Sequence, residues 1–272
     1  MKFTLILATL NRYDELIPLL NSLKNQTYKN FELIIIDQNN NDKIKLLTNS
    51  YKFNMKIIKS KTKGLSYNRN IGLDHAGSDI IAFPDDDCEY ESSTLEKVNN
   101  FFLNQPEYNF YTSNTREKKS NLSVTSSLPY DANINIYNVM RTGISFTIFV
   151  RSGALNSFKF DEKLGIGADF GSGEETDLLL FLLKNKKRGF YSANDYIYHP
   201  AKAGIDNRAF QYGKGFGAVF KKAIVKYHFT ALFFIYLLYL IKTIIKLIFY
   251  RDKNQYLLTL KGRISGFLQY KN

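Results

Sequence analysis

Apolar residues in the first ninety positions come in short unbroken runs. Phe3-Thr4-Leu5-Ile6-Leu7-Ala8, Phe31-Glu32-Leu33-Ile34-Ile35-Ile36 and Ile80-Ile81-Ala82-Phe83 each read as a strand buried on both faces. Met55-Lys56-Ile57-Ile58 reads as a further strand. Between the first two, Leu16, Leu19, Leu20 and Leu23 recur at helical spacing, with Pro18 where a helix start tolerates it. Asn39-Asn40-Asn41-Asp42 is loop chemistry able to cap a short helix. Gly64 to Ala76 reads as a loop entering a helix. Strands alternating with helices predict βαβ units: an α/β fold with a mainly parallel central sheet flanked by helices.

Downstream the pattern loosens. Leu95, Val98, Phe101 and Phe102 predict an amphipathic helix, and Phe110-Tyr111 a strand. Residues 113–135 are rich in Ser, Asn, Thr and Lys and read as a long polar loop. Ile144 to Val150 alternates well enough for a strand. Phe190-Tyr191-Ser192-Ala193 and Tyr196-Ile197-Tyr198 frame a last strand region ending at His199-Pro200. From Gly204 the chain turns helical, with Phe210, Gly213, Gly217 and Phe220 at helical spacing. The division this predicts is 1–203 and 204–272.

Phe229 to Ile241 carries no charge. A bilayer-spanning helix needs about 20 apolar residues, and Lys242 and Lys246 interrupt the continuation. Snorkelling lysines leave a span open. The better fit is a helix lying in the membrane interface, its lysines facing anionic headgroups, ahead of a buried helix or a homodimer contact.

Composition narrows the partners. The formal charge of +12 and pI near 9.4 point to nucleic acid, an anionic membrane surface or phosphorylated substrates. No nucleic-acid motif is recognised and much of the positive charge lies beside the apolar tail, so nucleic acid is not the expected partner. Cys88 is the only cysteine, which rules out an intramolecular disulfide and suits a reducing compartment. Phe3 to Leu10 is too short and too polar for a signal peptide.

Chemistry gathers at the strand ends. Thr9, Asn11 and Arg12 follow the first strand, Asp37 ends the second, and Asp85, Asp86 and Asp87 follow Pro84. Ligands bind in this crevice of open α/β sheets. Three adjacent carboxylates repel one another, and a hard divalent cation shared with substrate phosphates relieves that; the plainer reading is a solvated acidic turn. No Gly-x-Gly-x-x-Gly follows the first strand, which argues against a dinucleotide-binding Rossmann domain. A Gly-rich loop, Gly165 to Gly173, runs into Glu174-Glu175-Thr176-Asp177, acids that a helix dipole alone would attract.

In series, Ala8-Thr9-Leu10-Asn11-Arg12, Gln26 to Asp37, Gly64-Leu65-Ser66-Tyr67-Asn68-Arg69-Asn70-Ile71-Gly72-Leu73 and Asp85-Asp86-Asp87 resemble the successive blocks of family-2 glycosyltransferases. The resemblance covers about two-thirds of the chain and rests on four blocks in order. It implies the GT-A fold and an inverting enzyme using a nucleotide-diphosphate sugar, UDP-linked by preference, with Mn²⁺ or Mg²⁺. It implies Thr9, Asn11, Arg12 and Asp37 around base and ribose, and Arg69 and Asn70 near the diphosphate. Asp87 becomes the metal ligand, Asp85 lies nearer sugar or ribose or shares the metal, and Asp86 belongs to the same acidic block. Gln38 stands where many relatives have a second aspartate, which leaves the nucleotide open.

The family's catalytic base maps to Glu175, in place of the commoner aspartate, with Glu174 and Asp177 as fallbacks. His199 becomes an extra metal or phosphate ligand or else a structural histidine; Lys202 and Arg208 are phosphate candidates or solvated charge. The expected acceptor is a glycan or a lipid-linked glycan, in bacterial surface polysaccharide synthesis on the cytoplasmic face of the membrane. The polar 113–135 loop would face that acceptor. The alternatives are a catalytically silent nucleotide-binding or membrane scaffold of the same fold, and a sugar nucleotidyltransferase.

Overall fold

The computed structural model describes residues 1–201, 208–251 and 253–271. Its first half is a run of βα units: β1 (Phe3–Thr9), α1 (Leu16–Lys24), β2 (Phe31–Asp37), α2 (Lys43–Thr48), β3 (Asn54–Lys59), α3 (Leu65–His75), β4 (Ile80–Ala82) and α4 (Thr94–Asn104). The second half of the sheet is β5 (Phe110–Arg116), β6 (Ala132–Ile134), β7 (Ile148–Arg151) and β8 (Gly189–Tyr198), with α5 (Glu174–Lys184) before β8. Three helices close the chain: α6 (Ala209–Val225), α7 (Ala231–Phe249) and α8 (Lys253–Gln269).

All eight strands form one sheet in the order β3-β2-β1-β4-β7-β5-β8-β6. β1, β2, β3 and β4 are mutually parallel, as the unbroken apolar runs predict. β7 runs antiparallel to both β4 and β5, and β6 antiparallel to β8. Successive side chains of a strand face opposite ways. Leu5 and Leu7 therefore join Leu16, Leu20, Leu95 and Phe102 in one core layer, while Ile6 joins Ile81, Phe110 and Leu179 in the other. Gly72 of α3 lies so close to Ile6 that a Cβ there would come within 2.2 Å of its side chain, which seats α3 hard on the sheet.

Two sequence expectations change. Ile144 to Val150 is not one strand: Ser145–Thr147 is a 3₁₀ turn, and extended structure starts only at Ile148. Thr147 Oγ1 donates to the Ile144 carbonyl at 2.9 Å, the local side-chain bond that favours a turn over a ladder. The polar stretch 113–135 is also not all loop. β5 continues to Arg116 through its pairing with β8, with a bulge at Ser113/Asn114, and β6 lies at Ala132–Ile134. There the partner strand overrides weak strand-forming composition.

The tail shares the second core layer. Ala218, Val219, Phe220, Tyr227, Leu232 and Tyr236 are buried in the same cluster as Leu178 and Leu182 of α5. Glycines let the helices close up: a Cβ on Gly217 would lie 2.0 Å from the Arg263 carbonyl oxygen, and one on Gly266 1.9 Å from that of Lys214. Lys202 and Gly204 lie outside the described residues.

Candidate active site

The carboxyl ends of β1, β2 and β4 open on one edge, and the chain after each turns polar at once. Asn11 takes a left-handed backbone (φ 56°) that an asparagine tolerates, and its N–H donates to Asn39 Oδ1 at 2.8 Å. Asp37 is fully buried. Its Oδ1 accepts the backbone N–H and side-chain amide of Asn39 at 2.9 and 2.7 Å, and Lys59 Nζ sits 2.8 Å from Oδ2. Oδ1 is thus engaged in folding the 37–42 loop, while Oδ2 has the Lys59 charge beside it but no hydrogen bond. Gln38 links the same loops: its Oε1 accepts the Gly64 N–H at 3.0 Å.

The three aspartates are held apart by different partners. Asp85 accepts from Arg69 Nη2 at 2.9 Å and from Ser145 Oγ at 3.1 Å. Asp86 accepts the Thr9 hydroxyl at 2.9 Å, with Arg12 Nε 3.5 Å away. Burial raises its pKa to about 6, against the Thr9 bond and the Arg12 charge. Asp87 pairs with Arg12 Nη2 at 2.5 Å and with His199 Nε2 at 3.0 Å. Burial pushes the Asp87 carboxyl up, but the bond and charge of His199 and then Arg12 prevail and hold it below its ordinary value. Burial likewise depresses His199, yet Asp87 more than reverses it and the imidazole is raised.

His199 is fixed on every side. Nδ1 meets the Pro200 carbonyl at 2.7 Å, and the ring stacks on Phe146 at 4.8 Å. That bond makes Nδ1 the N–H donor, as in ligating histidines, while Nε2 donates to Asp87 here. Among the described residues no three His, Cys, Asp or Glu side chains converge on one point. One carboxylate and one imidazole nevertheless fit a Mg²⁺- or Mn²⁺-type ion that takes its remaining ligands from water and substrate phosphate.

Arg69 joins the two halves of the site. It is 1% exposed, and besides Asp85 it reaches Glu174 Oε1 at 3.3 Å. Arg69 Nε and Glu174 Oε2 are buried without hydrogen-bond partners. Burial, then the neighbouring Glu175 charge, raise the Glu174 pKa to about 8 despite Arg69. We attribute the weak opposition to sharing: Arg69 lies nearer Asp85 than Glu174.

The glycine-rich 165–173 loop and the turn before it are pinned to α3, because Leu65 N–H donates to the Ile166 carbonyl at 3.0 Å and Ser66 Oγ to that of Leu164 at 2.6 Å. Gly173, immediately before Glu174, has φ 100°, and a Cβ there would lie 2.7 Å from Val219. Only glycine starts α5 this close to α6 without strain.

Site residues predicted from the sequence therefore divide. Thr9, Asp86, Arg12, Asp87 and His199 form one bonded network and Asp85, Arg69 and Glu174 a second, brought side by side by the consecutive aspartates. Glu175 is half-buried in the same helix turn. Asn70 turns away to hold the Phe160 backbone, donating to its carbonyl and accepting from its N–H. Asp177 points into the tail, where it meets Lys222 Nζ at 2.7 Å and the Tyr227 hydroxyl at 2.8 Å. Arg208 is exposed at the start of α6. Reading the sequence missed Ser145, which holds Asp85 from the turn taken for a strand, and Lys59, which covers Asp37.

Against known proteins, the family model described as glycosyl transferase family 2 matches residues 4–165. The chain belongs to this family. It is 28% identical over 196 residues to a GalNAc(5)-diNAcBac-PP-undecaprenol beta-1,3-glucosyltransferase of Campylobacter jejuni, covering 68% of this chain and 60% of the relative. It is 27% identical over 218 residues to the minor teichoic acid biosynthesis protein GgaB of Bacillus subtilis, covering 74% of this chain but 23% of that one. The chain thus spans about a quarter to three-fifths of the length of these relatives. Its fold matches S. aureus TarS 1–349 in complex with UDP-GlcNAc, with TM-score 0.68, 21% identity, and coverage of 83% of this chain and 66% of that chain. It also matches the mannosyltransferase PcManGT of Pyrobaculum calidifontis, in complex with GDP-Man and Mn²⁺, with TM-score 0.69, 13% identity and coverage of 97% and 86%.

Proposed function

We propose that this transferase moves a sugar, with inversion, from a nucleotide diphosphate to a hydroxyl of a glycan or lipid-linked acceptor during surface polysaccharide synthesis. The carrying observation is Arg69, buried between Asp85 on the donor side and Glu174 on the base side. A UDP-sugar is the preferred donor. The TarS complex with UDP-GlcNAc and the undecaprenol-linked substrate of the Campylobacter relative support donor and acceptor class. The enzyme would act at the cytoplasmic membrane face.

In this reading the β1 and β2 turns cradle the nucleoside, and Asp85 orients ribose or sugar. Asp87 and His199 would hold Mn²⁺ or Mg²⁺, with Asp85 as a further candidate. When bound, the ion neutralises charge on the leaving diphosphate. Glu175 removes the acceptor hydroxyl proton. The freed oxygen bonds to the anomeric carbon as the bond to diphosphate breaks on the opposite face, which inverts the centre. Glu175 is preferred to Glu174 because it is half-exposed, whereas Glu174 is buried against Arg69.

Calorimetry with a panel of nucleotide diphosphates, with and without Mn²⁺, tests this. The expected result is metal-dependent binding of one nucleotide, lost in Asp87→Ala. A folded protein that binds none would overturn the reading.

A further inference from the structure

α7 is buried on one side only. Leu232 and Tyr236 are buried, Tyr236 stacks on Phe267 of α8 at 4.6 Å, and its hydroxyl donates to the Arg263 carbonyl at 3.1 Å. Arg263 Nη1 donates in turn to the Tyr239 carbonyl at 2.8 Å. The opposite side is bare: Phe234, Leu238, Ile241, Ile245, Ile248 and Phe249 are 47–78% exposed. Lys242 and Lys246, one turn apart, flank that strip and are exposed. A continuous apolar face of this size on a surface helix marks an interaction site.

Charge identifies what covers it. Residues 208–272 hold 12 of the 37 Lys and Arg residues but one of the 25 Asp and Glu residues, so nearly all of the +12 charge is here. A second copy would bring the same acid-poor, basic rim against its like. An anionic lipid surface complements it.

Connectivity decides the orientation. α7 would be about 28 Å long, enough to cross a bilayer core. Yet α6 and α8, joined to its two ends by short links, pack against each other through Gly213, Gly217, Gly262 and Gly266. A crossing α7 would put them on opposite sides of the membrane. It would also strip Arg263 of its partners in the apolar phase.

We propose that α7 is an in-plane membrane keel, its Phe234–Phe249 strip inserted among anionic lipids while α6 and α8 hold it to the catalytic core. This deepens the proposed membrane location of the enzyme but does not depend on the transfer reaction. The tests are sedimentation with preformed phosphatidylglycerol–phosphatidylcholine vesicles and with pure phosphatidylcholine vesicles. They compare the full chain, the triple variant Phe234→Ser/Leu238→Ser/Ile245→Ser, and Lys242→Gln/Lys246→Gln. These side chains are exposed, and nucleotide binding in the same samples reports the fold and the transfer reading separately.

The keel predicts binding to the anionic vesicles, weakened about tenfold or more by the triple variant. The lysine pair should weaken binding less and flatten its salt dependence. Three results would overturn the proposal. The triple variant could bind like wild type, the bound protein could resist alkaline carbonate as a spanning helix does, or the strip could prove to mediate a dimer that ignores vesicles.

Discussion

Two clusters of buried charge hang from the first turn of α5, three residues apart, and they are built on opposite principles. Glu174 and Arg69 face the sheet edge and leave atoms unpaired, Glu174 Oε2 and Arg69 Nε. Asp177 faces the tail and is complete. Lys222 bridges it to Asp161 at 2.7 and 2.8 Å, Tyr227 donates to it, and Tyr270 donates to Asp161. Buried polar groups are normally satisfied, so unsatisfied ones ask for a ligand. The comparison assigns chemistry to the Glu174–Glu175 face and architecture to Asp177.

The comparison breaks most visibly at Glu175. Glu175→Gln should lower the rate of donor turnover by about 10²–10⁴-fold with donor binding intact, measured under single-turnover conditions. A variant with normal turnover and weakened donor binding would move Glu175 out of the base role. On the other face, Lys222→Met removes one partner of a buried ion pair and should cost about 3–5 kcal/mol of stability by denaturant unfolding. Its activity per folded molecule should fall far less than that of Glu175→Gln.

Gly173→Ala sits where the two faces meet. It forces a left-handed residue worth about 1–2 kcal/mol and presses on Val219, so a lower melting temperature is expected together with reduced turnover. Turnover unchanged at a lower melting temperature would show that the seat of α5 on α6 does not position the base.

A further effect is a pH slope. Burial and then the Glu175 charge raise the Glu174 carboxyl from its ordinary 4.5 to about 8, so the folded state holds an extra proton between those values. Its contribution to stability is full below about pH 4.5 and is lost as pH rises toward 8. Glu174→Gln should remove that decline, so its melting temperature relative to wild type should rise between pH 5 and 8.

How far the sequence carries depends on what fixes each feature. β1, β2 and β4 lie at apolar runs that only a doubly covered strand explains, and the edge strand β3 at the broken run Met55-Lys56-Ile57-Ile58. The acids at the strand ends are equally visible, because a strand's end places them. Their partners are not. Arg69 meets Glu174 across 105 residues and His199 meets Asp87 across 112, distances that only the finished fold closes. Sequence spacing also could not separate Glu174, Glu175 and Asp177, because one helical turn presents all three; which one meets Lys222 is decided by α6. Residues 144–150 misled for a local reason, since Thr147 bonds the Ile144 carbonyl instead of extending the strand.

The most direct test sets the two faces side by side: donor turnover per folded molecule in Glu175→Gln and in Asp177→Asn, measured on the same preparations with their unfolding curves. The account predicts a large loss of turnover with near-normal stability for Glu175→Gln, and the reverse for Asp177→Asn. Loss of turnover in a stably folded Asp177→Asn, with Glu175→Gln active, would contradict it and place the base on the other side of the helix.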